Sequence, residues 1–387
     1  MTRQEIRLAS LIAALSLLDL AVWLCAIPLV PRWERSIGLS HLQSGVVLAS
    51  YSVAVLMLSI PAGHLGDRIG PRRLTIAAAF LFAITTPLFA FATSFAELVA
   101  LRFVNGVFSA VSWTAGLAWL VASVPDDRRG RAMTLVNAAA SPASVVGPLI
   151  GGPAVHYLGL KPTMFALGGA ILTLASWALL ERSKPHVRAD AHPSALSGLR
   201  ACIRVPGIRH AYLGIGFASV AYGVQQLLAT LHLADVGISP AGIGWVFSSG
   251  AAVSVGIAYL MTRDRVPADR RLVGRTGVAT ITTLMVFFSL NVATGPFIAG
   301  AVVMAAAGTA LWVSFYPLCS EAADRAGIGQ GLALGGLNTI WAACSIVAPT
   351  AAGFMAEHGQ ATACYLVVAG LGVVVVVGLR PALRSAA

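Results

Sequence analysis

Apolar positions in this chain neither alternate nor keep to one helical face; they come in long runs broken by short polar clusters. The runs occupy about 8–30, 41–62, 74–93, 97–122, 131–157, 162–181, 209–234, 240–262, 272–291, 296–319, 328–356 and 362–379. A helix needs roughly 20 apolar residues to cross the hydrocarbon core of a bilayer. Backbone amides in hydrocarbon must be satisfied within the segment, so each run is predicted to be a membrane-spanning helix and not part of an open sheet. Breaks are expected at Pro31-Arg32-Trp33-Glu34-Arg35, Gly70-Pro71-Arg72-Arg73, Pro125-Asp126-Asp127-Arg128-Arg129 and Gly295-Pro296. The first run is too long for a signal-peptide core and contains Asp19, so it is expected to stay as an uncleaved helix.

One long polar stretch, 182–208, divides the twelve runs into two sets of six. The predicted fold is therefore an all-α membrane protein of 12 transmembrane helices in two pseudo-symmetric six-helix bundles. Its expected domains are an N-terminal bundle at 1–182, a cytoplasmic linker at 183–207 and a C-terminal bundle at 208–387. A repeat supports the division: Gly130, Asn137, Pro148 and Gly152 recur 201 residues later as Gly331, Asn338, Pro349 and Gly353. Duplicated halves of this kind form a pathway between them and work by rocking one half against the other.

Composition narrows the class. The chain is 57% apolar and 11% charged, with a mean hydropathy of +0.82, against about 45–50% and 25% for soluble domains. A soluble enzyme is excluded, and no GxxxxGK[ST], HExxH or GxSxG motif is present to carry catalysis. The net charge of +11 does not mark a nucleic-acid binder, because the bases lie in short clusters between runs. Sorted alternately onto two sides, the loops put only Arg32, Arg35 and Lys161 on one side, and Arg102 falls inside a run. All other bases share the opposite side, which places both termini in the cytoplasm of an integral plasma (inner) membrane protein. The basic clusters are read as orientation signals and contacts to anionic membrane lipids. Cys25, Cys202, Cys319, Cys344 and Cys364 have no metal spacing, so no metal or cofactor is expected and energy has to come from a gradient.

After the second run stands Gly63-His64-Leu65-Gly66-Asp67-Arg68-Ile69-Gly70-Pro71-Arg72-Arg73. Its glycines let helix ends approach, Asp67 can cap a neighbouring helix N-terminus, and its arginines pair with acids or headgroups. This stretch closely resembles the G-x-L-x-D-R-x-G-x-R-[RK] signature of the major facilitator superfamily, in the family's usual place between helices 2 and 3. Leu98-Val99-Ala100-Leu101-Arg102-Phe103-Val104-Asn105-Gly106 is similar to the family's L-x-x-x-R-x-x-Q-G pattern, with Asn105 for Gln. Gly147-Pro148-Leu149-Ile150-Gly151-Gly152 is similar to the G-P-x-x-G-G element of the antiporter branch, although Ala143 and Thr134 stand where the family prefers Gly. The first run, with Asp19, Pro28 and Pro31, resembles drug/proton antiporters and vesicular amine transporters, which place an acid there. The second half holds only a degraded copy of the loop motif, at 264–271. The resemblance implies a conformational latch made by Gly63, Asp67, Arg68, Gly70, Arg72 and Arg73, in which Asp67 faces the start of helix 11 at 326–329 and holds the outward-open state. It also implies an antiporter-type hinge at Gly147, Pro148, Gly151 and Gly152.

Asp19 is the one acid deep inside a run, eleven residues in, or roughly 16 Å at 1.5 Å per residue. A charged carboxylate there costs at least ~2.5 kcal/mol, and burial favours its neutral form. A group so placed can load and release a proton, and Asp19 is predicted to be the proton-coupling residue. The competing role is structural glue, held permanently by Arg102, which on straight helices sits roughly 10 Å farther along the membrane normal. The family resemblance favours a part for Arg102 in proton release.

Polar and aromatic residues at helical spacing mark faces that can line a cavity. The predicted substrate-binding set is Asp19, Trp23, Asn105, Trp113, Asn137, Tyr222, Gln226, Trp312, Tyr316, Asn338 and Trp341, with helix packing as the competing role for each. Aromatic walls with few polar anchors suit a lipophilic small molecule, and Trp23 beside Asp19 suits a cation. Trp33 and His41 are expected to anchor at the membrane interface. The expected function is proton antiport, by alternating access, of a small lipophilic or cationic drug or metabolite. Alternatives are a proton-coupled symporter or uniporter and, less favoured, a transport-inactive receptor. The expected partners are the substrate, protons and lipids, and the chain is expected to act as a monomer.

Overall fold

A computed structural model describes residues 2–181, 195–262 and 270–379, and among them every regular element is helical. In chain order these are α1 (Arg3–Ile37), α2 (His41–Ile69), α3 (Pro71–Leu88), α4 (Phe95–Val111), a π turn (Ser112–Gly116), α5 (Leu117–Ser123), α6 (Asp126–Ala140), α7 (Ala143–Leu149), a second π turn (Ile150–Ala154), α8 (Val155–Leu158) and α9 (Leu160–Leu180). Then follow α10 (Ala195–Arg204), α11 (Pro206–Asp235), α12 (Pro240–Thr262), α13 (Arg270–Ser289), α14 (Thr294–Arg325), α15 (Gln330–Glu357) and α16 (Ala361–Gly378). Among the described residues ten helices are long and apolar enough to cross a membrane. α3, which opens on Arg72 and Arg73, and α11, diluted by Gln225 and Gln226, fall outside that set.

Two expectations are corrected and one is refined. The cluster at Pro31–Arg35 does not end the first helix: α1 continues through Pro28 and Pro31 to Gly38, which stops it in the left-handed conformation at φ 76°. A proline removes one backbone bond and can be carried where neighbouring groups make up the loss. The run at 131–157 falls within one helical span, Arg128–Leu158, long and apolar enough to cross a membrane, but that span is irregular. It breaks at Ser141–Pro142, where proline cannot donate, and again widens into the π turn before α8. Trp33 is not at an interface but 3% exposed, stacked on Phe89 with centroids 6.5 Å apart. The polar linker at 183–207 is described only from residue 195 onward, where α10 forms. The degraded motif at 264–271 lies almost wholly outside the described residues.

The chain forms two compact units, Met1–Leu39 with Val46–Asp190 and Ile238–Ser248, and Ser40–Gly45 with Ala191–Gly237 and Ser249–Ala387. In the first, α1 packs on α4, α6, α7 and α9. Its start is fixed by a capping box, Glu5 N–H on Thr2 Oγ1 and Thr2 N–H on Glu5 Oε2. Glu5 also meets Arg128 at 3.3 Å and Arg7 lies 4.0 Å from Glu181. Arg72 donates to the carbonyls of Ala178, Leu179 and Glu181 at 3.3, 2.8 and 3.0 Å, and its guanidinium lies 5.9 Å from the Trp119 ring centroid. It thereby closes the C-terminus of α9 with the charge that a helix end favours. Arg72→Ala is expected to cost about 1–2 kcal/mol, read as a lower melting temperature in detergent. Arg7→Ala removes a pair whose basic side chain is 64% exposed and is expected to change stability by less than ~1 kcal/mol.

In the second unit α11 packs against α10, α14, α15 and α16. Phe288 anchors an aromatic cluster, with ring centroids 4.9 Å from Phe297 and 5.6 Å from Tyr365. The sequence repeat has a structural counterpart in each unit. A Cβ on Gly152 would lie 2.5 Å from the carbonyl of Pro240, the first residue of α12. A Cβ on its repeat mate Gly353 would overlap the carbonyl of His41, the first residue of α2. Both positions require a residue without a side chain because the start of another helix is pressed against them.

Candidate functional site

Asp19 is 1% exposed, and three helical segments of the first unit supply its partners. Ser109 Oγ on α4 donates to Asp19 Oδ2 at 2.7 Å, and Trp113 Nε1 in the first π turn donates to the same oxygen at 3.1 Å. Tyr51 Oη on α2 lies 3.2 and 3.3 Å from the two carboxylate oxygens and 2.6 Å from Ser109 Oγ. Trp23, one turn beyond Asp19 on α1, stacks on the Tyr51 ring with centroids 5.7 Å apart. The local reason is spacing: Asp19 with Trp23, and Ser109 with Trp113, are i,i+4 pairs, which share a helix face. Trp113 stands where the helix widens, a feature frequent at functional sites.

Donor chemistry makes this arrangement sensitive to a proton. The hydroxyls of Tyr51 and Ser109 can each donate or accept, whereas the indole N–H of Trp113 can only donate. An ionised Asp19 accepts from Ser109 and Trp113, and from Tyr51 when that hydroxyl's one proton is not on Ser109. A proton on Oδ2 would face the Trp113 N–H, so loading the carboxyl forces either a rearrangement of Trp113 or placement of the proton on Oδ1 with the Tyr51 hydroxyl reversed. A protonation event is thus tied to the position of a large side chain.

Arg102 does not hold Asp19. It is 1% exposed, and its guanidinium has no hydrogen-bond partner among the described residues. It lies instead 5.4 Å from the ring centroid of Tyr51. Tyr51 therefore meets the acid with its hydroxyl and the base with its ring. A Cβ on Gly106 would overlap the Tyr51 carbonyl, so the glycine lets α4 approach α2 closely and sets where Tyr51 stands. Asn105 is also 1% exposed, with neither amide atom hydrogen-bonded among the described residues.

The remaining predicted residues fall as follows. Asp67 and Arg68 in the last turn of α2 and Arg73 in the first turn of α3 are exposed, Gly63 in α2 is half-buried, and Gly70 takes φ 93° between the two helices. Gly147 faces Ala21 and Leu24 of α1, Gly151 faces Cys25, and Pro148 sits within α7 just before the second π turn. Asn137 is exposed and its Nδ2 donates to its own helix, at Met133 O. In the second unit Tyr316 Oη donates to Asn338 Oδ1 at 2.7 Å and stacks with Trp312 at 5.2 Å. Tyr222, Gln226 and Trp341 are half-buried, Tyr222 beside Gly308. Two residues were not anticipated: Tyr51, and Gln225, which is 5% exposed with neither amide atom hydrogen-bonded among the described residues.

The model of the major facilitator superfamily matches residues 10–333. Multidrug resistance protein MdtL of Shewanella oneidensis is 27% identical over 216 residues, covering 54% of this chain and 51% of that protein. The uncharacterized MFS-type transporter EfpA of Mycobacterium tuberculosis is 32% identical over 177 residues, covering 45% and 33%. The chain thus spans between a third and a half of the length of these curated relatives. Among solved structures, a bacterial homolog of the human lysosomal transporter Spinster, inward-facing and occupied, gives a TM-score of 0.75 at 14% identity over 98% of this chain and 96% of that one. The human organic anion transporter MFSD10 (TETRAN) gives 0.68 at 18% identity over 98% and 100%. At that identity the likeness speaks for the fold, two bundles of membrane-crossing helices. The family match covers most of the chain, which belongs to the major facilitator superfamily.

Proposed function

We propose that the chain exports a small lipophilic or cationic molecule by proton antiport, with Asp19 as the group that binds the proton and the substrate in turn. The observation that carries this reading is the buried carboxylate held by Ser109, Tyr51 and Trp113. A cation brought beside Trp23 and Trp113 is attracted by the carboxylate and by the aromatic faces, and it competes with a proton for the same charge. The similarity to a protein named for multidrug resistance supports export of such compounds. Under this reading both termini lie in the cytoplasm of a plasma (inner) membrane, Asp67 latches against 326–329 in the outward-open state, and Gly147, Pro148, Gly151 and Gly152 form the hinge. Tyr222, Gln226, Trp312, Tyr316, Asn338 and Trp341 line the substrate path from the second unit. No metal or cofactor enters the scheme.

The test is ligand-linked proton release. Purified protein in weakly buffered detergent is titrated with a panel of lipophilic cations, and pH is followed with an indicator dye. Binding of a transported cation is expected to release a proton into the medium. Saturable binding with no proton change at any pH between 5 and 9 would overturn antiport.

A further inference from the structure

Arg102 and Asn105 stand three residues apart on α4, on one face of the helix. Each is 1% exposed, and five of their polar atoms, Nε and both terminal nitrogens of Arg102 and both amide atoms of Asn105, have no hydrogen-bond partner among the described residues. The Tyr51 ring, at 5.4 Å, covers the guanidinium and leaves its N–H groups without an acceptor. Asp19, whose oxygens meet Tyr51, Ser109 and Trp113, makes no hydrogen bond to the guanidinium.

A guanidinium stays charged in proteins; the Asp19 carboxylate attracts it without a hydrogen bond, and once Asp19 is neutral the buried charge is left without a countercharge, which is strongly unfavourable. Buried polar groups are nearly always satisfied by some partner. Water can accept the hydrogen bonds but brings no charge; an anion brings both. Enclosure limits its size. Leu98 and Gly106, one turn to either side on α4, and Tyr51 on α2 are all buried, which excludes an acid carrying an organic body.

We propose that Arg102 and Asn105 form a site for a small inorganic monovalent anion, chloride in ordinary media, held by the N–H groups of the guanidinium and by the Asn105 amide. The ion supplies the countercharge for Arg102, above all when Asp19 is neutral. The site does not depend on proton antiport and is measured without transport.

The experiment is equilibrium binding of radioactive chloride to the purified full chain in chloride-free gluconate buffer. Saturable binding of one ion per chain, displaced by bromide, is expected. Arg102→Gln is expected to weaken it at least tenfold, and Asn105→Leu, which keeps the charge and removes one donor, about tenfold. Asn105→Leu carries the test if Arg102→Gln does not remain monodisperse. Asp19→Asn, in which ligand-linked proton release is expected to end, is expected to bind chloride no more weakly than the unmodified chain, so the two readings fail separately. Absence of saturable binding to the unmodified chain, or binding that neither α4 variant weakens, overturns the proposal and assigns the site to water.

Discussion

Asp19→Asn is expected to lower proton-driven substrate movement at least ~100-fold, the lower end of what a positioned proton-transfer group contributes, while the protein still folds and inserts. The amide matches the carboxyl in shape, and its oxygen can still accept from Ser109 and Trp113, the two donors to Oδ2. What is lost is the capacity to carry a proton. Its NH2 group also faces the Tyr51 hydroxyl, which can turn and accept, so packing is conserved where chemistry is not. The measurement uses proteoliposomes with an imposed pH gradient, following a fluorescent cation and an internal pH dye, with size-exclusion profiles to establish folding. Coupling equal to that of the unmodified protein would show that this carboxylate is a structural polar group and that the proton travels elsewhere.

Gly106→Val is expected to cost ~3 kcal/mol or more, the upper range of overpacking in a filled core. The Cβ would overlap the backbone carbonyl of Tyr51 and come within 2.8 Å of Ala54 Cβ. Relief requires α2 and α4 to separate, which carries Tyr51 away from both Asp19 and Arg102. The expected result is a large fall in melting temperature in detergent, together with loss of substrate binding in whatever fraction remains folded. Gly169→Ala is the matched comparison: it lies on α9, exposed, with nothing within 4 Å of the added methyl, and alanine favours a helix over glycine by ~1 kcal/mol. It is expected to leave stability unchanged or slightly raised. Equal melting temperatures for Gly106→Val and the unmodified chain would mean that α2 and α4 are not in close contact.

The helices are legible in the sequence because a run of apolar residues long enough for a bilayer has one low-energy backbone solution. Where each helix bends is not. Pro31 continues α1 and Pro142 interrupts a run, since the outcome depends on which neighbours replace the missing bond, and those come from elsewhere in the chain. Asp19 is legible as the solitary acid in a run, and Ser109 with Trp113 as polar and aromatic positions on the face of Arg102. Tyr51 is not: in an apolar run flanked by Ser50 and Ser52 it carries no periodic signal, and its partners lie on two other helices. Gln225 and Gln226 illustrate the same gap. Adjacent residues point about 100° apart on a helix, and only packing decides which one is buried, here Gln225.

The guanidinium of Arg72 bears on how the protein is threaded into its bilayer. Loop arginines bias topology by their charge during insertion, but in the finished molecule Arg72 is committed to the carbonyls ending α9, so Arg68 and Arg73 are the bases of this junction that stay exposed. A lysine at position 72 would deliver the same topogenic signal yet lack the planar fork that reaches three oxygens at once. Biogenesis and maturation thus draw on different properties of a single side chain.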